Sequence, residues 1–330
     1  MLFRSTDQIE LYMARRAADV ILFLAEYNIE VESLPTFRLL HDPHHEGPRI
    51  DFEKKQINLY THSTLERAAA PNSSPTPVID RVLSHVIGAA NVGHFLNWLA
   101  FVIQTKEASG TGWVFHGSQG TGKGILFHRI LKPMIGSHNA LQLRTANFED
   151  NYNGFLENST LINVDEVDVP ESRREKTIMA DLKNYMTEET VSIRKMYSNV
   201  YEVPNRTNWI FSSNKRNPII VEMTDRRFNI ADYQPHPLSI HPREIDAIAQ
   251  ELPAFMWHML IYPYNRRQAQ TASLTKAKID MQALSETSVD EIANALIHGR
   301  AHVLYNYCED DTEILDLDQK VIHQKYNQLI

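Results

Sequence analysis

The sequence predicts an α/β fold in which a mainly parallel sheet occupies the middle of the chain, with mostly helical regions flanking it at both ends. Three observations predict this fold. Short apolar runs alternate with stretches of helical periodicity, which is typical of βαβ units. A glycine-rich loop directly follows the first run, and polar side chains end the other two. The runs cover residues 113–115, 160–164 and 208–211.

Four regions are expected along the 330-residue chain. They are an α+β region over residues 1–75, a helical bundle over 76–108, the α/β core over 109–235 and a helical C-terminal region over 236–330. The first region is expected to be mainly helical to about residue 45. Apolar residues then alternate at period two in β-type segments at 49–52 and 56–60. The proline- and serine-rich residues 71–77 form the clearest linker.

Composition and charge exclude several classes of protein. The single cysteine, Cys308, excludes a disulfide framework and a cysteine-built zinc site, and it fits a reducing compartment. No run approaches the roughly 20 apolar residues that a membrane span needs, so a cytoplasmic protein without a membrane partner is expected. The net charge of −8 is unlike that of proteins that coat duplex DNA. Any contact with nucleic acid must therefore be local, or formed where several subunits pool a few basic groups.

The glycine-rich loop fits the phosphate-binding pattern G-x-x-x-x-G-K, in which backbone N–H groups curl around phosphate oxygens. Lys123 would reach the β- and γ-phosphates, and a helix over about residues 125–131 would add its N-terminal dipole. A glycine-rich turn with a chance lysine is the alternative, which the flanking strand and helix disfavour. The sequence therefore predicts a P-loop that binds a nucleoside triphosphate. Its residues are Gly117, Ser118, Gln119, Gly120, Thr121, Gly122, Lys123 and Gly124.

Gly124 departs from the usual P-loop pattern. A Ser or Thr normally stands there and ligates Mg²⁺ through its hydroxyl, which glycine lacks. Because magnesium usually keeps several waters, one more water could occupy that position. Ser118 and Thr121 carry hydroxyls, but their place earlier in the loop leaves direct ligation open.

Polar side chains end the two later runs. Asp165 and Glu166 follow residues 160–164, and carboxylates at the carboxyl end of a parallel strand lie where open α/β sheets bind ligands. Asp165 would hold Mg²⁺, mostly through water, while Glu166 shares the metal site and polarises the attacking water. Asn214 ends the third strand and could contact the γ-phosphate or the attacking water. Taken singly, an exposed acidic loop and a turn-forming Asn are the simpler interpretations. Their order after the P-loop favours the functional ones.

Arg226 and Arg227 stand together beside an aromatic residue. One of them would pack or form a salt bridge, while the other would be an arginine finger that stabilises charge on the transferring phosphoryl group. Which arginine has which role is left open. A purely structural arginine pair is the alternative.

Residues 191–203 predict a β-hairpin with its turn near residues 197–199. Its tip combines the cations of Arg194 and Lys195 with the ring of Tyr197. Such a combination suits the backbone and bases of single-stranded DNA. An ordinary exposed hairpin is the simpler interpretation of this feature alone.

The order of these motifs resembles that of superfamily 3 helicases, and more closely the helicase portion of phage, plasmid and large-virus primase-helicases. The resemblance covers about residues 49–233, with a weaker helical stretch to about residue 297. Each motif alone is unspecific, but their combination is quite specific. The motifs that carry the resemblance are residues 95–100, 117–124, 164–166, 212–214 and 225–228.

The resemblance implies an AAA+ core that binds ATP and Mg²⁺ between the subunits of a ring, usually a homo-hexamer. The P-loop and the polar strand ends would act within one subunit, and an arginine would reach in from the neighbour. The hairpins around Lys195 would line a central pore and track one DNA strand. No primase domain is expected in residues 1–75, so either a helicase-only protein or a piece of a longer system is implied.

The function implied is an ATP-dependent DNA helicase of phage- or plasmid-like replication. Its partners would be single-stranded or forked DNA, and a primase or another replication protein. An AAA+ ATPase that loads or remodels DNA complexes without processive unwinding is the first alternative. A P-loop small-molecule kinase is the second, and it leaves the basic hairpin and the arginine pair unexplained.

Overall fold

The structure is a computed structural model that describes residues 37–148, 152–167, 173–196 and 199–285. Residues 173–177 and 284–285 are described as backbone, as are the strands β1 (Leu2–Ser5) and β2 (Gln8–Leu11). The chain divides into two compact units, Met1–Tyr60 and Thr61–Ile330.

The first unit contains two small sheets. In one, β1 and β2 pair antiparallel. In the other, β5 (Gln56–Asn58) lies between β3 (Arg38–Leu40), to which it is parallel, and β4 (Ile50–Asp51), to which it is antiparallel. The two β-type segments predicted from alternation are confirmed by β4 and β5. The prediction that the N-terminal segment is mainly helical is wrong at β1, β2 and β3, because pairing between strands overrides a weak helical pattern. Most of that segment, residues 12–36, lies outside the described residues.

The second unit is built on a five-stranded sheet whose neighbouring strands are all parallel, in the order β12-β6-β11-β8-β7. This confirms the predicted α/β fold. An antiparallel hairpin, β9–β10, lies between β8 and β11 in the sequence. The strands are β6 (Gly112–His116), β7 (Ala140–Arg144), β8 (Leu161–Asp165), β9 (Thr190–Ile193), β10 (Tyr201–Pro204), β11 (Asn208–Ser213) and β12 (Phe228–Ile230).

The three strands that the apolar runs predicted are β6, β8 and β11, which form the middle of the sheet. They are buried on both faces, and such strands appear in a sequence as continuous apolar runs. In β6, Trp113 and Phe115 enter one hydrophobic core while Val114 enters the other. The edge strands β7 and β12 were not predicted, because β7 is half exposed and β12 has only three residues.

Helices cover both faces of the sheet. Helices α2, α3, α4, α6 and α7 contribute to the core that contains Trp113, while α5 and α8 contribute to the core that contains Val114. Helix α4 consists of three contiguous segments, the middle one a π-helical turn. The helices are α1 (Thr64–Arg67), α2 (Pro77–Ile87), α3 (Val92–Thr105), α4 (Lys123–Ile125, Leu126–Leu131, Lys132–Ile135), α5 (Arg173–Thr187), α6 (Pro242–Ile261), α7 (Arg266–Ala269) and α8 (Lys276–Ser285).

The helical pattern predicted before the core is broken between α2 and α3, where the chain bends by 105°. Gly88 permits the break, because its φ of 89° is strained for other residues and a Cβ there would stand 2.0 Å from Asp232 Oδ2. Within the described ranges, no single helix is long and apolar enough to cross a membrane, although this bent pair passes that test by length and composition. The predicted C-terminal region contains α6, α7 and α8, and its residues 286–330 lie outside the described ones.

Candidate functional site

The predicted P-loop connects the carboxyl end of β6 to the start of α4. Gly120 and Gly122 adopt φ values of 82° and 90°, which L side chains rarely adopt. A Cβ at Gly117 would stand 2.5 Å from the carbonyl oxygen of Gln234. Three glycines of the motif are therefore required by the backbone, either for its conformation or for a close approach of another segment.

A segment after β12 holds the loop from outside. Ser118 N donates to Gln234 O at 2.8 Å, and its Oγ donates to Pro235 O at 2.8 Å. Leu238 N donates to Gly120 O at 2.9 Å. Sequence reasoning missed this segment, although Pro235 and Pro237 indicate extended chain. The loop conformation thus depends on residues more than a hundred positions away.

The ammonium group of Lys123 lies inside the curve of the loop. Its Nζ donates to Gly117 O at 2.9 Å, to Ser118 O at 3.1 Å and to Thr121 Oγ1 at 3.0 Å. Burial lowers the pKa of Lys123, and the nearby carboxylate of Asp165 opposes that shift. The loop therefore holds the cation of Lys123 among its own carbonyl and hydroxyl oxygens.

The hydroxyls of Ser118 and Thr121 are engaged within the loop and its support. Thr121 Oγ1 donates to Ser118 O at 3.1 Å and accepts from Lys123. At Gly124, a Cβ would meet nothing within 4 Å. The position thus has room for a hydroxyl side chain, and nothing in the structure explains the glycine.

Asp165 ends β8 at the same edge of the sheet as the loop. Its Oδ2 accepts from Gln142 Nε2 at 2.8 Å, and its Oδ1 accepts from Glu166 N at 3.0 Å. Gln142 comes from the neighbouring strand β7, and sequence reasoning missed it because β7 was not predicted. The amide fixes one carboxylate oxygen, which orients the group.

Glu166 is exposed and has a φ of 56°, in the left-handed region. Such a conformation is uncommon for a residue other than glycine and is frequent at functional sites. Arg144 Nε lies 3.6 Å from Glu166 Oε2, and both side chains are more than half exposed. An exposed pair of this kind contributes little to stability. Glu166 therefore remains available to solvent and to a ligand.

Ser212 and Ser213, at the end of β11, form hydrogen bonds with the segments that follow β6 and β8. Gly117 N donates to Ser213 O at 3.2 Å, Ser213 Oγ donates to Val167 O, and Val167 N donates to Ser212 O at 3.0 Å. Asn214 follows directly and is exposed. Asn214 therefore lies at the same edge of the sheet as the P-loop and Asp165.

His116, the residue before the loop, was not predicted to matter. It is buried, with Nδ1 2.8 Å from Arg216 O and Nε2 3.0 Å from Ala231 O. Burial lowers the pKa of His116, against the effect of the two carbonyls. A neutral imidazole donates from only one nitrogen. The ring therefore connects the segment after Asn214 to the end of β12 with at most one donated hydrogen bond while it is neutral.

Arg226 and Arg227 lie at the other end of the sheet, where the strands begin. Gly112 N, at the start of β6, donates to Arg227 O at 2.9 Å, so the pair stands where β6 and β12 begin. Five residues of β6 separate this edge from the loop, a distance of about 16 Å at the usual rise per residue. Arg226 is exposed and Arg227 is half-buried. The structure does not bring either arginine to the P-loop of its own chain.

The two strands of the predicted hairpin are present and pair antiparallel, and Tyr197, which was predicted at the tip, lies outside the described residues. Arg194 is exposed, and its N donates to Asn153 Oδ1 at 2.7 Å. Lys195 forms an ion pair with Glu157, whose Oε1 also accepts from Tyr201 OH at 2.6 Å. Burial lowers the pKa of Lys195, but the hydrogen bonds and charges of its two partners prevail and raise it. Lys195 is therefore a cation whose charge is already balanced, which the sequence did not indicate.

Residues 115–227 match the model of a protein family of unknown function, DUF5906. Over 201 residues, 61% of this chain, the sequence is 31% identical to the DNA primase-polymerase of Nitratiruptor phage NrS-1. The match covers 28% of that protein, so the chain spans little more than a quarter of this curated relative.

The fold is similar to that of the NrS-1 C-terminal region, which has been solved in the apo form. One such structure has a TM-score of 0.76 and 23% identity, covering 94% of this chain and 77% of that one. A second has a TM-score of 0.72 and 24% identity, with the same coverages. A third has a TM-score of 0.75 and 22% identity, covering 98% of this chain and 79% of that one. The chain is therefore related to part of a phage primase-polymerase and has the α/β fold of the NrS-1 C-terminal region.

Proposed function

We propose that this protein is an ATP-dependent DNA helicase of superfamily 3 type, which hydrolyses ATP at subunit interfaces and moves along single-stranded DNA during phage- or plasmid-like replication. One observation carries the proposal. The residues predicted to handle phosphate lie together at the carboxyl ends of the sheet strands, while the exposed Arg226 lies at the amino ends. A second subunit would complete the site if the amino ends of its sheet strands, with Arg226, lay against it.

Within one subunit, the P-loop would bind the triphosphate. Lys123 would exchange its three loop acceptors for β- and γ-phosphate oxygens, and the loop N–H groups and the α4 dipole would add to the attraction. Glu166 would accept a proton from the attacking water, and Asn214 would position that water.

Asp165 is the residue that would hold Mg²⁺, mostly through water. Its half-buried carboxylate, oriented by Gln142, fits a hard cation that prefers oxygen ligands and keeps several waters. When bound, the ion supplies positive charge to the β- and γ-phosphate oxygens. Gly124 leaves one more position to water, for which the structure has room.

Arg226 is the arginine that would stabilise the transferring phosphoryl group. Because it stands about 16 Å from the P-loop of its own chain, it can act only on the nucleotide of a neighbour. Its exposure suits that role, whereas Arg227 is half-buried. The proposal therefore requires an assembly in which each subunit meets the next head to tail, and a closed ring, proposed here as a homo-hexamer, meets that requirement.

The β9–β10 hairpin would contact DNA through Arg194, Lys195 and Tyr197. A ring would bring several such hairpins together, so that a few cations make a basic channel in a chain of net charge −8. The ion pair between Lys195 and Glu157 favours a second candidate, an ATPase that loads or remodels DNA complexes without processive unwinding. In that case the hairpin would hold DNA only weakly.

The proposal is tested first by the rate of ATP hydrolysis with and without single-stranded DNA, measured together with the mass of the assembly in ATP. We expect stimulation by DNA and a mass about six times that of one chain, as the proposed homo-hexamer requires. Strand displacement on forked DNA separates the two candidates, since the remodelling ATPase predicts hydrolysis without displacement. Unstimulated hydrolysis by a monomer would contradict both.

Glu157→Gln is expected to strengthen binding of single-stranded DNA. The change frees the charge of Lys195 for a phosphate, while the amide oxygen can still accept from Tyr201 OH. One additional phosphate contact steepens the slope of log K against log salt concentration by about 0.7. Fluorescence anisotropy of a labelled oligonucleotide across a salt series measures both quantities.

Glu202→Gln is the matched control, because it removes the same charge from an exposed position on β10. It lowers the negative charge of the hairpin without releasing Lys195. Equal salt slopes for the two variants would show that Lys195 does not contact DNA.

A further inference from the structure

Helix α8 is anchored on β12, beside the turn that carries the two arginines. Ser273 N donates to Asn229 Oδ1 at 2.8 Å, and Thr275 Oγ1 donates to Ile230 O at 3.1 Å. Lys278 N in turn donates to Thr275 Oγ1 at 3.1 Å, which caps the start of the helix. Met281 is buried in the core that α5 also enters. The helix is therefore a fixed support with one face toward the start of β12.

Lys278 projects from that face to Asp225, the residue before the arginine pair. Its Nζ donates to Asp225 O at 2.8 Å and lies 3.3 Å from Asp225 Oδ1, with both side chains at most 3% exposed. Burial lowers the pKa of Lys278, and the charge of Asp225 opposes that shift. Removing one member of a buried pair leaves the other charge without compensation. The two groups therefore depend on one another.

Asp225 sets the backbone at the arginines. Its Oδ1 accepts from Arg227 N at 3.0 Å and from Phe228 N at 2.9 Å. In the part of the chain that the structure describes, Asp225 Oδ2 and Arg227 Nε are buried without a hydrogen-bond partner. Such groups are unfavourable in isolation. Lys278 thus compensates the charge of the carboxylate that makes the hydrogen bonds within this turn.

Gln282 lies one turn further along the same face of α8. Its Nε2 donates to Glu222 O at 2.9 Å and to Met223 O at 3.2 Å. Asp225 N donates to Glu222 O at 3.0 Å and closes the turn. One helix face therefore holds both the beginning and the end of the turn from which Arg226 projects.

We infer that Lys278 and Gln282 are positioning residues for Arg226. They lie beneath the turn and determine where the exposed guanidinium leaves the subunit. The inference rests on the proposed function, in which Arg226 acts on the nucleotide of a neighbouring subunit. A catalytic group that must enter another subunit gains most from a rigid base, because a displacement of about 1 Å can lower a rate by roughly 10²-fold.

Lys278→Met tests the inference in the full chain. The variant keeps its own P-loop, so the KM for ATP should stay near the parental value while kcat falls roughly 10- to 100-fold. When its subunits are mixed with Lys123→Ala subunits, hydrolysis should return. Lys278→Met would supply the intact P-loop, and Lys123→Ala would supply the correctly held arginine.

Two further variants make the result specific. Lys276→Met removes an exposed lysine from the same helix and should leave kcat unchanged. Gln282→Met removes the two bonds to the beginning of the turn and should lower kcat in the same way, to a smaller extent. If Lys278→Met shows no thermal unfolding transition and is therefore not folded, Gln282→Met serves as the test instead. Loss of the folded state in both variants would overturn the inference, since these residues would then hold the fold rather than the arginine.

The inference is also overturned if Lys278→Met hydrolyses ATP at the parental kcat, or if mixing with Lys123→Ala restores nothing. Arg226→Ala separates this failure from that of the proposed function. An inactive Arg226→Ala beside an active Lys278→Met would remove only the positioning role. If Arg226→Ala also retained parental hydrolysis, the arginine itself would have no part in the reaction.

Discussion

Lys123→Ala should lower the kcat for ATP hydrolysis by about 10²–10³-fold, the usual effect of removing a preorganised group that stabilises developing charge. The ammonium group already lies within the loop, held by three oxygens that a triphosphate would replace. The methyl group of alanine would leave the β- and γ-phosphate oxygens without their nearest cation. Release of phosphate in the presence of single-stranded DNA measures the effect.

The matched control for this prediction is Lys132→Ala, which removes a lysine from the far end of α4. This variant should hydrolyse ATP at the parental rate, because Lys132 stands more than two helical turns from the loop. Unchanged turnover in Lys123→Ala, in a preparation free of other ATPases, would show that the glycine-rich loop does not bind the transferred phosphate.

Arg226→Ala should lower kcat by about 10³–10⁵-fold, as removal of an arginine finger does in other phosphoryl-transfer enzymes. Binding of ATP should persist, because the arginine stands at the sheet edge opposite the P-loop. The decisive measurement is hydrolysis by a mixture of Arg226→Ala and Lys123→Ala subunits. Each variant is inactive alone, but an interface between them contains one intact P-loop and one intact arginine.

Arg129→Ala is the control for the arginine, since Arg129 is exposed on α4. Its removal should change neither hydrolysis nor complementation. A mixture that stays inactive although the two variants assemble would show that Arg226 does not act between subunits.

Local features of the chain could be interpreted without a structure. The glycine-rich loop lies within a few consecutive residues, and Gly120 and Gly122 have positive φ values that residues with a side chain rarely adopt. Strands β6, β8 and β11 are buried on both faces, so each appears as a continuous apolar run. Asp165, which ends β8, and Asn214, which follows β11, lie at the same end of the sheet because these neighbouring strands are parallel.

Features with a weak sequence pattern, or with a partner distant in the chain, were not predicted from the sequence. Strand β7 alternates between half-buried and exposed residues, β12 is short, and neither was recognised. Without β7, the amide of Gln142 on Asp165 could not be foreseen. The helical pattern near the N-terminus was overridden at β1, β2 and β3, because strand pairing depends on a partner that periodicity does not reveal.

The sequence by itself determined the α/β fold, the glycine-rich loop between a strand and a helix, and the polar ends of two strands, since these depend on neighbouring residues and on burial. Only the tertiary structure decided the state of the charged groups. It pairs Lys195 with Glu157, buries Lys278 against Asp225 and separates Arg226 from the P-loop of its own chain. Each of these relations joins residues distant in the chain, and whether a charge is free, balanced or buried depends on the neighbours that folding brings to it.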